Sequence, residues 1–319
     1  MNMKVRFLTG LGIIFVVAIM FLTKIIIGQT WIFDIFIGLV TIIGAIEFSK
    51  ILSKMGLFNN EFLITIFPVF LYSLIILSIK MQIPVYLFVL LTVLTMFVLA
   101  FISILISYVK KPETTKEMRI RQIRTSVWKF SVHKAGQTLI GFVYPSLIFM
   151  ILILFNHIEE LGYLLNVSGF NGLLSLLVLA VSFLIPFLCD TFAYLMGGFI
   201  GGKKLCPQIS KAKTISGAIG GVLWTALILV VLFLIFNADT ILTPVFTSLG
   251  LEWWHFAVLG VVGGVACVYG DLFESFMKRK AKVKDSANFL PGHGGVVDRI
   301  DSFIASLPVV LIFFLIFLL

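Results

Sequence analysis

The segment "PVYLFVLLTVLTMFVLAFISILISYV", residues 84–109, contains no Asp, Glu, Lys or Arg. A helix needs about 20 mostly apolar residues to cross the hydrocarbon core of a bilayer, so this segment is long enough to span it. The rest of the chain has the same character. Of its 319 residues, 60% are hydrophobic and 12% are charged, and the mean hydropathy is +1.15. Because charged residues make up roughly a quarter of a soluble domain, the composition predicts an integral membrane protein.

Further apolar runs of similar length lie on both sides of this segment. They predict an all-α, polytopic membrane protein with about nine transmembrane helices. The predicted spans cover residues 7–27, 31–49, 62–79, 84–109, 135–156, 171–189, 215–236, 253–277 and 303–319. The first run follows Lys4 and Arg6, as the apolar part of a signal peptide would, but no A-x-A-like cleavage site comes after it. We therefore interpret it as a retained span.

The distribution of basic residues predicts the orientation of these spans. If the N-terminus is cytoplasmic, all 24 Lys and Arg residues except Lys24 and Lys80 lie on the cytoplasmic side. Cytoplasmic loops of membrane proteins are enriched in these two residue types. We expect a multi-pass protein of the cell membrane whose N-terminus and catalytic loops are cytoplasmic. The net charge of +9 is then explained by topology, and nucleic acid is not an expected partner.

The polar segments divide the chain into two predicted parts. Residues 1–134 contain four spans and end in a basic stretch, 110–134, that is typical of a solvated loop or an interfacial amphipathic helix. Residues 135–319 contain two polar segments, 190–214 and 278–302, which the predicted topology places on the same side of the membrane. The chemistry of the protein is therefore expected in the second part.

Four acidic residues near this membrane surface form two pairs with a spacing of three, namely Asp271 with Glu274 and Asp298 with Asp301. Residues three apart share one face of a helix. Ionised carboxylates beside hydrocarbon normally pair with cations, line an aqueous cavity or hold a metal ion. Two interpretations are open. The acids could bind Mg²⁺ and a nucleotide triphosphate, or they could form ion pairs with neighbouring Lys and Arg side chains.

The segment "PGHGG", residues 291–295, lies between the two acid pairs. Its proline and glycines cannot continue a regular helix, and they leave backbone amides free to approach an anion. A phosphate-binding loop and a plain glycine-rich turn are both consistent with this composition. The histidine in it, His293, could contact phosphate, transfer a proton or cap the turn.

The earlier polar segment combines an acid with small and basic residues. Asp190 follows an apolar span, and Ser210, Lys213 and Thr214 lie close to the next span. Glycines between them favour close helix packing, and the lysines favour anchoring at the cytoplasmic surface. The combination with an acid indicates a polar site in addition to these structural roles.

Two blocks of residues match a known pattern. The first consists of Asp190, Ala193, Tyr194, Gly197, Gly201, Leu205, Pro207, Ser210, Lys213, Thr214, Gly217, Gly220 and Gly221. The second consists of Ser275, Lys278, Arg279, Lys284, Asp285, the run "LPGHGG" at 290–295 and the run "DRID" at 298–301. Together they resemble the signature of the phosphatidate cytidylyltransferases, also called CDP-diacylglycerol synthases. Ser216 departs from that pattern, which usually has glutamate there, and Lys211 stands where proline is usual.

The resemblance implies transfer of CMP from CTP to phosphatidate, which gives CDP-diacylglycerol and pyrophosphate. It also implies Mg²⁺ as the cofactor, K⁺ as an assisting cation and a homodimer as the assembly. The implied catalytic residues are Asp271, Asp298, Asp301, Lys278 and Arg299. The implied substrate-binding residues are Ser210, Lys213, Thr214, Arg279, His293, Gly294 and Gly295. The implied metal ligands are Asp271, Asp298, Asp301 and Asp190.

Two other functions are compatible with parts of this pattern. A cytidylyl- or phosphotransferase that acts on another lipid phosphate would need the same head-group chemistry. A membrane transporter would also place acids and glycine-broken helices in the membrane, but it predicts them symmetrically in both halves. Here the polar motifs are confined to the C-terminal half, which favours the transferase.

Overall fold

The computed structural model describes residues 3–28, 30–120, 125–161, 172–238, 242–287, 289 and 294–318. The helices described before residue 157 are α1 (Met3–Ile27), α2 (Trp31–Lys54), α3 (Glu61–Met81), α4 (Val85–Val109), α5 (Lys111–Ile120), α6 (Val127–Gly141) and α7 (Ile151–Asn156). A π-helical turn, Phe142–Leu147, lies between α6 and α7. The later elements are α8 (Leu173–Ile200), β1 (Lys204–Cys206), β2 (Ser210–Thr214), α9 (Ile215–Ala238), α10 (Thr243–Ser248), α11 (Trp253–Lys280) and α12 (Val297–Leu318).

Eight helical segments of the described chain are long and apolar enough to cross a membrane, which confirms the predicted all-α, polytopic fold. They correspond to the second through ninth spans predicted from the sequence. The segment Val127–Asn156, which joins α6, the π-helical turn and α7, forms one of them. The first predicted span falls on α1, Met3–Ile27.

The C-terminal helices form the part of the bundle that carries the predicted motifs. Helix α9 packs against α8 and α11, and α12 packs against α11 and α8. Two glycines permit close approach of neighbouring helices. A Cβ atom at Gly217 would lie 2.6 Å from the carbonyl oxygen of Ala193, and one at Gly270 would lie 2.7 Å from that of Asp301. Helices α11 and α12 therefore meet beside Asp271, and this contact brings the two predicted acid pairs together.

Helix α8 extends further than the sequence predicts. The predicted span ends at residue 189 and places Asp190 after it, whereas α8 continues to Ile200 and ends at Gly201, whose φ is +65°. The prediction was wrong because one acid does not interrupt the backbone hydrogen bonds of a helix, and residues 191–200 are mainly apolar or small. The helix ends only where a glycine takes up the left-handed conformation. Asp190 therefore projects from within a helix.

The predicted polar loops also contain regular structure. Strands β1 and β2 form an antiparallel hairpin in which Lys204 pairs with Thr214 and Cys206 pairs with Ser210. This hairpin joins α8 to α9. In the segment 110–134, the described residues form α5 and the start of α6.

A buried polar cluster ties α1, α2 and α7 together at the opposite end of the bundle. Asp34 of α2 accepts hydrogen bonds from Asn156 Nδ2 at 2.8 Å and from His157 Nε2 at 2.8 Å. Lys24 of α1 donates to the Asn156 carbonyl oxygen at 2.9 Å, and His157 Nδ1 lies 3.0 Å from Glu160 Oε1. Burial opposes a charge on His157, but its hydrogen bonds to Asp34 and Glu160 outweigh burial and raise the pKa of His157 to about 9. The hydrogen bond from His157 lowers the pKa of Glu160.

The charge on His157 should make the stability of the protein depend on pH. Because the folded-state pKa lies above the ordinary value of 6.5, this stabilisation is complete below about pH 6.5 and is lost as the pH rises through about 9. His157→Gln should lower the Tm in detergent by several degrees at about pH 7 and by less at about pH 10. Thermal unfolding across this range checks the prediction, with His133→Gln as the control for an exposed histidine. A difference in Tm that does not narrow with rising pH would contradict it.

Candidate functional site

Helices α8, α9 and α11 and the β-hairpin surround a cavity of about 360 Å³. Four of the predicted catalytic, substrate-binding and metal-binding residues line it, namely Asp190, Lys213, Thr214 and Asp271. They come from α8, β2 and α11, so the fold brings Asp271 of the first acid pair beside residues of the first sequence block. The cavity combines two acids with a basic side chain at the end of membrane-spanning helices.

Three acids of the site repel one another. The carboxylate of Asp271 acts electrostatically on both Asp190 and Asp301, and Asp190 also acts on Asp301. Ser302 connects two of them, because its Oγ donates to Asp190 at 3.1 Å and its backbone N–H donates to Asp301 at 2.7 Å. Lys213 forms an ion pair with Asp271. Among the described basic side chains, none forms an ion pair with Asp301, which is only 9% exposed.

A second charged group lies between the ends of α11 and α12. Lys278 forms an ion pair with Glu274, one helical turn earlier, and another with Asp298 at 2.6 Å. Glu274 is fully buried, and the side chains of Lys278 and Asp298 are nearly so. Both acids therefore share one cation.

Asp298 also holds the loop that precedes its own helix. Its Oδ2 accepts hydrogen bonds from the backbone N–H of Ser286 at 2.9 Å, from Ser286 Oγ at 3.0 Å and from the backbone N–H of Gly295 at 2.8 Å. Its Oδ1 accepts from Lys278. Both carboxylate oxygens are thus engaged within the protein, so Asp298 anchors the loop in this arrangement.

The remaining predicted residues differ in what they contact. Arg279 Nε donates to the carbonyl oxygen of Ile209 at 3.2 Å, which ties the hairpin to α11 next to Ser210. Thr214 is a helix cap, since its Oγ1 accepts from the backbone N–H of Gly217 at 3.1 Å. Arg299 is exposed on the first turn of α12.

The glycine-rich segment is described in part. The backbone N–H of Gly295 is engaged by Asp298, and Gly294 has a φ of +81°. His293 lies outside the described residues.

Ser216, where the resembled pattern has glutamate, donates through its Oγ to the carbonyl oxygen of Gly201 at the end of α8.

Two residues of the site carried no signal in the motif analysis. Glu47 of α2 reaches the loop before α12 and accepts a hydrogen bond from Ser286 Oγ at 2.9 Å. Tyr144 of the π-helical turn packs its ring against Phe48 and Phe273, with centroid separations of 4.6 and 5.9 Å. Its hydroxyl is buried and has no hydrogen-bond partner among the described residues. The available signals were an acid inside an apolar span, for Glu47, and a proline next to Tyr144.

All four acids of the two predicted pairs act electrostatically on the Tyr144 hydroxyl. This hydroxyl therefore faces the acid cluster from the side of α2 and the π-helical turn. The cavity lies on the other side of the same cluster, next to α8 and the hairpin. The acids of α11 and α12 consequently lie between the Tyr144 hydroxyl on one side and the cavity on the other.

The acids fit a hard divalent cation by their chemistry. Within the described residues, no three His, Cys, Asp or Glu side chains converge closely enough to enclose a metal ion. Mg²⁺ is usually held by one or two carboxylates and completes its shell with water and substrate phosphate, so it does not require such a group. The buried Asp301, which repels Asp190 and Asp271, calls for a positive partner. We infer that this part of the cluster, and less so the engaged Asp298, is suited to a cation.

The fold and the site together define a polytopic membrane protein with a charged site at the ends of its C-terminal helices. The chain belongs to the cytidylyltransferase family, whose sequence model matches residues 4–317.

Several curated relatives are named phosphatidate cytidylyltransferase. The chain is 39% identical over 139 residues to one from Haemophilus influenzae, a match that covers 44% of the chain and 45% of the relative. It is 41% identical over 127 residues to one from Staphylococcus epidermidis, covering 40% and 45%. It is 34% identical over 169 residues to one from Synechocystis sp., covering 49% and 52%. The chain thus spans about half the length of the curated relatives that it matches.

Replacing Asp298 and Asp271 should have different effects on stability. Asp298→Asn removes a buried charge that accepts hydrogen bonds from Lys278, Ser286 and Gly295, so it should cost about 3 kcal/mol of unfolding free energy. Asp271→Asn removes a partly exposed acid and relieves repulsion, so it should change stability by less than about 1 kcal/mol. Thermal unfolding in detergent compares the two variants. Equal losses of Tm would contradict the role of Asp298 as the loop anchor.

Proposed function

We propose that this protein is a phosphatidate cytidylyltransferase, which transfers CMP from CTP to phosphatidate and releases pyrophosphate. The observation that carries the proposal is the cluster of mutually repelling carboxylates, bordered by Lys213 and Lys278, at the ends of membrane-spanning helices. A water-soluble nucleotide and a lipid phosphate can meet only at such a border. The names of the relatives support the same reaction.

The chemistry of this reaction needs no nucleophile from the protein. An oxygen of the phosphatidate phosphate attacks the α-phosphorus of CTP and forms the new P–O bond. The bond from the α-phosphorus to the bridging oxygen of the β-phosphate breaks, and pyrophosphate leaves with that electron pair. The barrier arises from repulsion between two anions and from charge on the leaving group, so positioning and cations should supply the catalysis.

The basic side chains of the site are suited to hold these anions. Lys213 borders the cavity and Lys278 lies between two acids, whereas Arg279 and Arg299 are exposed nearby. We assign Lys213 to a substrate phosphate, together with Ser210 on the same strand. We assign Arg279 and Arg299 to phosphate groups that arrive from the aqueous side. The Tyr144 hydroxyl is available to donate a hydrogen bond to a phosphate oxygen on the other side of the acid cluster.

Mg²⁺ is the expected cofactor, and Asp271 and Asp301 would hold it, with Asp190 close by. When bound, it would neutralise charge on the substrate phosphates and on the leaving pyrophosphate. Asp298, also predicted as a ligand, could bind the cation through Oδ1, which accepts from Lys278, while its Oδ2 holds the loop. A role for K⁺ remains a prediction from the family resemblance.

Neutral substitutions of the proposed metal ligands should abolish the reaction without unfolding the protein. Asp301→Asn and Asp271→Asn should each lower turnover by about two orders of magnitude or more, which corresponds to roughly 3 kcal/mol of lost transition-state stabilisation. The measurement is Mg²⁺-dependent conversion of CTP and phosphatidate by the purified protein in detergent, with the lipid product identified by mass. Lys24→Met, at the far end of the bundle, is the control.

Two results would overturn parts of this proposal. Wild-type protein that forms no CDP-diacylglycerol would contradict the function itself. Near-normal turnover in both Asn variants, with an unchanged response to Mg²⁺, would contradict the metal assignment while leaving the function intact.

We also propose that the site faces the cytoplasm, because the basic residues are concentrated at that end of the helices. In a background without native cysteines, Gln208→Cys in the exposed hairpin should resist a membrane-impermeant maleimide in intact cells. It should react once the cells are broken. Thr247→Cys, exposed between α9 and α11, should react in intact cells. Labelling of Gln208→Cys from outside would reverse the orientation.

A further inference from the structure

Glu47 lies in α2, far from both sequence blocks, and no role follows for it from the motifs. It is only 4% exposed. Its Oε1 accepts a hydrogen bond from the backbone N–H of Val296 at 3.0 Å, and its Oε2 accepts from the backbone N–H of Val297 at 2.9 Å. Its Oε2 also accepts from Ser286 Oγ. A buried carboxylate is costly unless it is hydrogen-bonded in this way, so these three contacts offset the cost of its burial.

The two amides belong to the start of α12, which begins at Val297. The first amides of a helix have no partner within the helix, and its N-terminus carries a partial positive charge. Glu47 therefore acts as an N-terminal cap that another helix supplies. Asp298 and Asp301 lie in the first two turns of α12. By fixing where the helix begins, this cap therefore also fixes the positions of both acids.

Ser286 joins Glu47 to Asp298. Its Oγ lies 2.9 Å from Glu47 Oε2 and 3.0 Å from Asp298 Oδ2, so two carboxylates share one hydroxyl. A Cβ atom at Gly295 would collide with both Ser286 Oγ and Glu47 Oε2. The glycine at 295 is thus explained by the two polar side chains that fill the space beside it. The loop before α12 is fastened to α2 and to α12 by the same small group of residues.

We propose that Glu47 is a positioning residue of the active site, which sets the start of α12 and thereby the location of Asp301 relative to Asp271. This inference rests on the proposed function for its kinetic consequence, but the capping itself does not. Without the cap, the first turn of α12 would lose two hydrogen bonds and the loop would lose its link to α2. The acids would then be less well placed to hold a cation, while Lys213, which borders the cavity from the hairpin and is assigned to a substrate phosphate, would be unchanged.

The test compares Glu47→Gln, Glu47→Ala and Ser286→Ala with wild type. Gln keeps an oxygen acceptor and Ala keeps none, so the defect should increase from Gln to Ala. We expect a fall in kcat of about 10- to 100-fold for Glu47→Ala and a higher Mg²⁺ requirement, with the KM for CTP changed less than about threefold. We also expect faster hydrogen exchange at the amides of Val296 and Val297, which is read without substrate.

Asp34→Asn is the matched control, because Asp34 is a buried, hydrogen-bonded acid of the same helix at its opposite end. It should lower the Tm but leave the Mg²⁺ requirement and the exchange of Val296 and Val297 unchanged. Unchanged exchange in Glu47→Gln and Ser286→Ala would overturn the capping role, whether or not the protein makes CDP-diacylglycerol. Faster exchange with wild-type kcat and Mg²⁺ response in an active enzyme would overturn the positioning role.

Discussion

The rest of the structure depends on how buried carboxylates are kept at the edge of the hydrocarbon. Glu274, Asp298 and Asp301 are almost fully buried, and a bare carboxylate there would be costly. Lys278 pairs with two of them, and Asp298 also accepts hydrogen bonds from the backbone amides of Ser286 and Gly295 in the loop before α12. Asp301 has no cationic partner among the described side chains, so a cation bound beside it would stabilise its charged form. The lack of a cationic partner for Asp301 makes the cluster suitable for a cation and, with it, for phosphorylated substrates.

The same constraint explains why the N-terminal helices matter to the site. Glu47 brings a carboxylate from α2 to the amides of Val296 and Val297, and Tyr144 brings a hydroxyl toward the acid cluster. The residues that the sequence motifs identify therefore do not build the site alone. A boundary at residue 134 separates the motifs from the first spans in sequence, while the hydrogen bonds of Glu47 cross it.

The spans and the pairing of the acids could be predicted from the sequence, because both depend on local spacing. A run of about 20 apolar residues must cross the membrane, and acids three apart share a helix face. The role of Glu47 could not be predicted, because its partners Ser286 and Val296 lie more than two hundred residues away. The capping by Thr214 and the continuation of α8 past Asp190 depend on where a helix begins or ends, which the spacing of apolar residues does not fix. The span 31–49 contains two acids, Asp34 and Glu47, and they were the local sign that α2 has polar partners.

The central claim is that the helix-end cluster supports attack by a lipid phosphate on the α-phosphorus of CTP. The most direct measurement follows the fate of CTP labelled either at its α-phosphorus or at its γ-phosphorus, with phosphatidate and Mg²⁺ present. The account predicts that the α-label enters the lipid and that the γ-label leaves as pyrophosphate. Transfer of the γ-label to the lipid, or release of the γ-label as inorganic phosphate with no label in the lipid, would contradict it.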